Sequence, residues 1–564
     1  MEALSPPLTT ASLGSTLVAC NDLMLVDTLT AALEKFQSKN TSQFLTITLP
    51  SQENDLLSSF RMCWKEALEN ANETFDTIAL IETELELSSP DLKHVLIPSL
   101  RVLALVQALE EKYPGRPSRL LYLLGSGQRR HTSQPPEFAA AIAAAQIAKV
   151  ENPHIDLRII EIGPGSTIDQ AFRYGLNPSS EEKPISLRFN NGFRETVQLV
   201  EPFNPDAWPG MTSGCLLVTG GFGHAGPALA LAIAKLSDIT VVLLGRTVRE
   251  EIDDPFTLCD IDVRRYALDI KDVDALQRVV QELEAEGKPV KGVIHAAGVI
   301  DWAGVIHRRT NIDLEEVWAG KVGGLLALET VLEKKDLDLF IICSTLGSFL
   351  PYAKFGQVGY ASANAYLDAA GSDLSRKHGW PVRVINWDDF TEGGMTVAAA
   401  RQRGLTYPAP QDGLSNAQAE TAVIRVISSP YPRLAVTIHD LHKMIDVNSV
   451  SNKSCLNKDA DPILSLEKSP ISTLPEAVFA PTGLQSFLIT AFRHVLGNEN
   501  IDSETDFFSA GGHSLLAMQL LGQIREDKKI NVGLADLFDA PTPSQLAKRL
   551  DERLNKPASD KDYD

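Results

Sequence analysis

Five short apolar runs between residues 215 and 387, CLLVT, TVVLLG, GVIHAAG, LFIICST and VRVINW, are separated by helix-length stretches, and each ends in small or polar residues. Strands apolar on both faces suit a parallel sheet covered by helices, and polar carboxyl ends suit a ligand crevice along that edge. This pattern dictates an α/β layer structure for the middle of the chain. Residues 1 to about 205 repeat the alternation with QFLTITL, TIALIE, RLLYLLG and LRIIEIG, but no strand there is followed by a glycine-rich loop. Beyond residue 441 the pattern breaks. A Ser/Asn/Asp/Lys/Pro-rich stretch reads as a flexible linker, and a short helical segment follows over 482–553.

A chain of 564 residues exceeds what one hydrophobic core supports. The expected divisions are 1–210, 211–445, a linker over 446–480, and 481–555. The net charge of −21, from 73 acidic and 52 basic residues, disfavours nucleic acid and anionic membrane as partners. No apolar run approaches the ~20 residues that span a bilayer, and MEALSPPLTT lacks a basic, then apolar, leader; a cytoplasmic chain is expected. Cys20, Cys63, Cys215, Cys259, Cys343 and Cys455 lie far apart without a CxxC pair, so reduced, mostly buried thiols are expected and no metal site.

The segment after CLLVT reads GGFGHAG and leads into an alanine-rich helix. Gly220, Gly221, Gly223 and Gly226 supply a tight turn, close backbone approach to a pyrophosphate, and close helix–strand packing. Arg246 follows the next strand, 20 residues after Gly226, where NAD-binding folds place an acid. A cation there favours the 2′-phosphate of NADP; the alternative is a solvated loop residue. Asp269, after the third strand, is either an acceptor for the adenine amino group or a helix N-cap.

Ketone reduction by hydride requires a proton donor at the carbonyl oxygen, a second hydrogen bond to it, and a cation that eases ionisation of the donor. Tyr360 and Asn364 are spaced i and i+4 in GQVGYASANAYLDAAG, on one helical face, and Lys321 lies in the helical stretch EEVWAGKVGGLLALE. His131, His154 and His224 read as surface or loop histidines. His295 reads as a loop residue beside the nicotinamide half, rather than an acid or base.

With LVTGGFGHAG, VIHAAGVI, KVGG, FIICST, GQVGYASANAYLDA and INWDDFTEGGM in view, residues 212–400 resemble the ketoreductase domain of modular polyketide synthases, within the short-chain dehydrogenase/reductase superfamily. The resemblance implies two Rossmann-like subdomains, a truncated structural one and an NADPH-binding catalytic one. Residues 1–205 loosely resemble the former through PEFAAAIAAAQIAKVENPHIDLRIIEIG and ISLRFNNGF. It implies Tyr360 as proton donor, Thr345 as the second hydrogen bond, Lys321 and Asn364 as the relay, and a cofactor site that includes Thr219, Ala296, Ala297 and Gly298. Thr345 precedes Tyr360 by 15 residues, about two more than the family's spacing, while its separation from Lys321 agrees; Ser344 and Ser348 compete with it. The family's Leu-Asp-Asp signature reads Ile300-Asp301-Trp302, so neither hand of the alcohol is marked. Its NWG reads Asn386-Trp387-Asp388, which leaves the local geometry open, and Met395 begins the lid.

DFFSAGGHSLLAMQLLGQIRED resembles the phosphopantetheine attachment motif of carrier domains, with Ser514 as the attachment residue on a small four-helix, all-α fold. Its GGHSL form is commoner in peptidyl carriers than in polyketide acyl carriers. Leu515, Met518 and Leu521 then fall on the second helix. Together the resemblances imply NADPH-dependent, stereospecific reduction of a β-ketoacyl thioester on a carrier. A phosphopantetheinyl transferase and other synthase modules (condensing and acyltransferase or adenylation domains) are the implied partners. The alternatives are an α-ketoacyl reductase of a depsipeptide-type synthetase, a non-catalytic scaffold bearing Ser514, and a free-standing alcohol dehydrogenase.

Overall fold

The computed structural model describes residues 16–20, 55–70, 77–83, 91–113, 118–125, 134–152, 154–167, 186–190, 193–195, 208–248, 259–301, 304–395, 413–445, 483–496, 500–507 and 541–555, with scattered positions between them. Two compact units are formed, 1–395 with 409–441, and 396–408 with 442–564.

In the first unit, β1 (Thr16–Cys20), β2 (Thr77–Thr83), β3 (Ser118–Gly125), β4 (Ile155–Ile162), β5 (Ser186–Asn190) and β6 (Phe193–Glu195) form a sheet in that order. It is parallel except that β6 turns back on β5. The order contains no reversal, so these strands create no crevice of the kind that holds a nucleotide. Helices α1 (Leu56–Asn70), α2 (Leu92–Lys112) and α3 (Pro136–Glu151) accompany it. α2 is long and apolar enough to cross a membrane, but 83% of its apolar window is buried inside the unit, as in a core helix. Asp91 caps it by accepting from His94 N.

The second sheet holds β7 (Cys215–Thr219), β8 (Thr240–Gly245), β9 (Val263–Ala267), β10 (Val290–His295), β11 (Leu339–Thr345), β12 (Val382–Trp387) and β13 (Arg433–Val436). All pairs are parallel, in the order β13-β12-β11-β10-β7-β8-β9. The central strands β7 and β11 are buried along their whole length, as the apolar runs predict. β13 escapes the sequence pattern because RLAV is a short, half-buried edge strand. The strand order reverses between β7 and β10, whose last residues Thr219 and His295 pair. That switch point opens a crevice at the carboxyl edge. Around the sheet lie α4 (Ala225–Ala234), α5 (Val273–Ala285), α6 (Asn311–Trp318), a π-helical turn (Ala319–Gly323), α7 (Gly324–Leu332), α8 (Val358–His378) and α9 (Asn416–Ile427). The alanine-rich α3 packs against α8, small side chains allowing the two helices a close approach.

In the second unit, α10 (Leu484–Leu496) and α11 (Pro543–Asn555) share an apolar core of Leu488, Phe492, Phe507, Leu521, Ile524 and Leu546. Ser514, Leu515, Met518, the linker 446–480 and the full helix count of this unit lie outside the described residues.

Candidate active site

The glycine loop sits at the crevice as a cradle that side chains would fill. A Cβ on Gly220, whose φ is +66°, would lie 2.7 Å from Ala296 O, and one on Gly221 would lie 2.8 Å from Leu243 Cα. Gly223 N donates to Gly220 O, and the outer side of Gly223 is exposed. Gly226 opens α4 against Val218. The bare glycines thus let the backbone pass close to the carboxyl ends of β8 and β10 just before α4 begins, an arrangement that suits a pyrophosphate.

Thr219 is fully buried and serves the loop itself. Its Oγ1 accepts from Ala296 N and Ala297 N, each at 3.2 Å. Arg246 stands exposed past the end of β8 and makes no ion pair among the described residues, as a phosphate-binding cation requires. Asp269 is not a helix N-cap: Asp272 caps α5 by accepting from Ala275 N, while Asp269 accepts from Lys271 N and faces Lys271 Nζ at 3.8 Å. The glycine cradle and the exposed Arg246 fit a phosphate-bearing dinucleotide.

His295 corrects the sequence reading. It is the last residue of a buried strand, not a loop residue, and both ring nitrogens are engaged. Lys321 O can only accept, so Nε2 donates to it at 2.7 Å, and Nδ1 accepts from Thr219 Oγ1 at 2.8 Å. Burial pulls the His295 pKa down to about 4 and keeps the ring neutral. His295 thereby ties the cofactor loop to the π turn that carries Lys321. His224, also read as a plain loop residue, is partly buried, its ring edge-on to Phe390 at 5.5 Å.

Lys321 is buried, and its stem passes the bare face of Gly298, where an added Cβ would lie 3.0 Å from Lys321 Cε. Its Nζ lies 3.4 Å from Cys343 O and 5.4 Å from the centre of the Tyr360 ring. Burial lowers its pKa to about 8. Tyr360, half-buried in the first turn of α8, has its phenol pushed up to about 12 by burial and by Asp389, against the pull of Thr345 and Asn364. Asn364 Nδ2 donates to Tyr360 O at 2.8 Å, leaving its buried Oδ1 without a protein partner among the described residues.

The competing hydroxyls separate by direction. Ser344 Oγ accepts from Asn386 Nδ2 at 3.1 Å and donates to Asn364 O at 3.4 Å, inside a network completed by Asp368 and Arg433. Thr345, at the end of β11, reaches the Tyr360 phenol, and its Oγ1 accepts from Gly347 N. Ser348 Oγ is buried with no partner among the described residues. The longer segment before Tyr360 folds as two 3₁₀ turns, Leu346–Ser348 and Pro351–Lys354. Asp388 turns away, accepting from Thr437 Oγ1 at 2.5 Å.

Sequence reasoning missed what anchors the helix that carries Tyr360. Gln357, the N-cap of α8, provides no side-chain cap; Asp301 Oδ2 instead accepts from Tyr360 N at 3.1 Å. Asp301 Oδ1 pairs with Arg309 in full burial, and Arg309 donates to Gly304 O and Gly356 O. A Cβ on Gly359 would lie 3.0 Å from Asp301 Oδ2, a tight contact that glycine avoids. From α3, Glu151 accepts from Ile306 N at 2.6 Å and Gly356 N at 3.1 Å, and from α2, Gln107 donates to Ile306 O and Arg309 O. The first sheet's helices thus hold the start of α8. Asp301 lies in a recognisable motif, but nothing in the local sequence of Glu151 signals a partner over 150 residues away.

Comparison with known proteins agrees with this geometry. Residues 214–392 match the KR domain family model, and residues 486–550 match that of the phosphopantetheine attachment site. The chain is 30% identical over 397 residues to polyketide synthase GfsB of Streptomyces halstedii, covering 65% of this chain and 7% of that protein. It is 23% identical over 472 residues to polyketide synthase PksN of Bacillus subtilis, covering 80% of this chain and 8% of that protein. The chain thus spans less than a tenth of these relatives. Among solved structures, an A1-type ketoreductase aligns with TM-score 0.60 at 20% identity over 80% of this chain and 97% of that one. The ketoreductase-containing module of a keto acid-selecting non-ribosomal peptide synthetase aligns with TM-score 0.62 at 16% identity over 78% of this chain and 39% of that one. The chain therefore carries a ketoreductase domain of the polyketide synthase kind, an oxidoreductase domain, followed by a phosphopantetheine attachment domain.

Proposed function

We propose that this chain reduces the ketone of a β-ketoacyl thioester with NADPH, the acyl group being carried on phosphopantetheine at Ser514. The observation that carries this reading is the convergence of Tyr360, Thr345, Lys321 and Asn364 beside the glycine cradle, at the carboxyl edge of one sheet. Gly220, Gly221, Gly223 and Gly226 hold the pyrophosphate, Arg246 the 2′-phosphate, and Asp269, Ala296, Ala297 and Gly298 line the remaining site. The chemistry drawn from bound NADPH is a hydride for the ketone carbon.

Tyr360 gives its phenolic proton to the ketone oxygen, and Thr345 donates a second hydrogen bond to that oxygen. A phenol held near 12 is a proton donor at neutral pH, and Lys321 stabilises the phenolate it leaves. The unpartnered Oδ1 of Asn364 receives the water through which the proton is replaced. Other synthase modules supply the ketoacyl chain and take the alcohol. NADPH oxidation followed by absorbance with a small β-keto thioester tests this: the parent turns over, Tyr360→Phe does not, and an inactive parent overturns it.

The GGHSL form at residues 511–515 favours a second reading, reduction of an α-ketoacyl thioester within a peptide synthetase. A higher kcat/KM on α-keto than on β-keto thioesters selects it.

A further inference from the structure

The segment joining Thr345 to Tyr360 holds a group that the mechanism above does not use. Its second 3₁₀ turn brings Lys354 back across the site, with Nζ 5.4 Å from the Tyr360 ring centre, the same separation as Lys321 Nζ. The stem gets there by running over Gly347, where an added Cβ would fall 2.2 Å from Lys354 Cε and 2.7 Å from Cγ. No carboxylate pairs with Lys354 among the described residues. We propose that Lys354 is a second cation of the active site, which the longer loop sets against Tyr360 to stabilise its phenolate as the proton leaves. This rests on Tyr360 being the proton donor.

The charges around Tyr360 leave a task for such a group. From the π turn, Lys321 is buried, and with a pKa drawn to about 8 it loses its charge in mildly alkaline solution. From beyond β12, Asp389 opposes ionisation of the phenol. From β11, burial keeps the Cys343 thiol neutral, with its pKa raised to about 11. From the loop after β10, Asp301 is already paired with Arg309. Thr345 and Asn364 are uncharged. Lys354, by contrast, keeps part of its side chain in solvent.

The test compares pH profiles of reduction for the parent, Lys354→Gln, Lys354→Arg and Gly347→Ala, with circular dichroism confirming the fold of each. A tyrosinate absorbance titration, read as the difference between each background and its Tyr360→Phe partner, accompanies it and needs no turnover. Lys354→Gln is expected to lower kcat about tenfold with KM within about twofold, and to raise the alkaline limb by about one pH unit. Removing a cation raises every neighbouring pKa, so the direction is the same whether Lys321 or Tyr360 governs the limb. The Tyr360 titration midpoint rises with it. Lys354→Arg retains parental behaviour, and Gly347→Ala, which displaces the stem, moves both readouts in the direction of Lys354→Gln. An unmoved limb and midpoint overturn the proposal, as does an effect confined to KM, which makes Lys354 a substrate anchor. If the parent has no turnover, the reductase reading fails separately, and the titration alone decides the role of Lys354.

Discussion

Replacing Asp301 with alanine probes the anchor of the catalytic helix. Two losses add. The helix loses its cap at Tyr360 N, which costs about 1 kcal/mol. Arg309 loses its buried partner, and breaking such a pair typically costs about 3–5 kcal/mol. Arg309 keeps hydrogen bonds to Gly304 O and Gly356 O, so the lower figure applies and the sum is about 4 kcal/mol. For a unit of this size, at about 2.1 cal/mol/K per residue, the transition falls by about 4 °C. All six tryptophans precede residue 388, so tryptophan fluorescence follows the first unit alone. Asp301→Asn keeps an acceptor for Tyr360 N and loses only the charge facing Arg309, so it falls between parent and alanine. Activity of Asp301→Ala drops because the first turn of α8 carries Tyr360, while cofactor binding at β7 and β8 holds. A transition unchanged within about 1 °C refutes the reasoning.

Arg246→Ala is expected to weaken NADPH binding about tenfold to a hundredfold, the worth of a charge-assisted bond, while leaving NADH binding unchanged in a fluorescence titration. Thr345→Val lowers kcat about a hundredfold, whereas Ser344→Ala chiefly lowers the melting temperature, because its hydroxyl belongs to the Asn386 network. The Glu151 carboxyl titrates at about 7 in the folded unit, raised by burial from 4.5. The folded unit therefore binds more protons than the unfolded chain between these values. The stability contributed by this group is fully present below about 4.5 and lost as pH rises through about 7. Glu151→Gln flattens that dependence in melts recorded from pH 4 to about 8.

Five strands of the second sheet were legible because they are apolar on both faces and their polar ends mark the crevice, whereas the more exposed β9 and β13 lack that pattern. The glycine loop was legible from its spacing after β7 and the pair Tyr360 and Asn364 from its i, i+4 spacing, while their roles and that of Lys321 came from the resemblance. The separation from Lys321 already favoured Thr345 over Ser344 in the sequence, despite a loop longer than the resemblance leads one to expect, and the structure adds that adjacent strand residues point to opposite faces, with Ser344 turned into the Asn386 network. The ties of Glu151 and Asp301 to the start of α8 were illegible for a different reason. Their partners are backbone groups far along the chain, and a backbone N–H leaves no mark in a sequence. His295 misled because a polar residue at a strand end resembles a loop residue until both its ring nitrogens are seen to be satisfied.

The most direct measurement is intact-protein mass spectrometry of the full chain, loaded at Ser514 with a β-ketoacyl phosphopantetheine and then given NADPH. The account predicts that the carried acyl group gains the mass of two hydrogens in the parent, and that loaded Tyr360→Phe keeps the mass of the ketone. A loaded parent whose mass does not change in the presence of NADPH contradicts it.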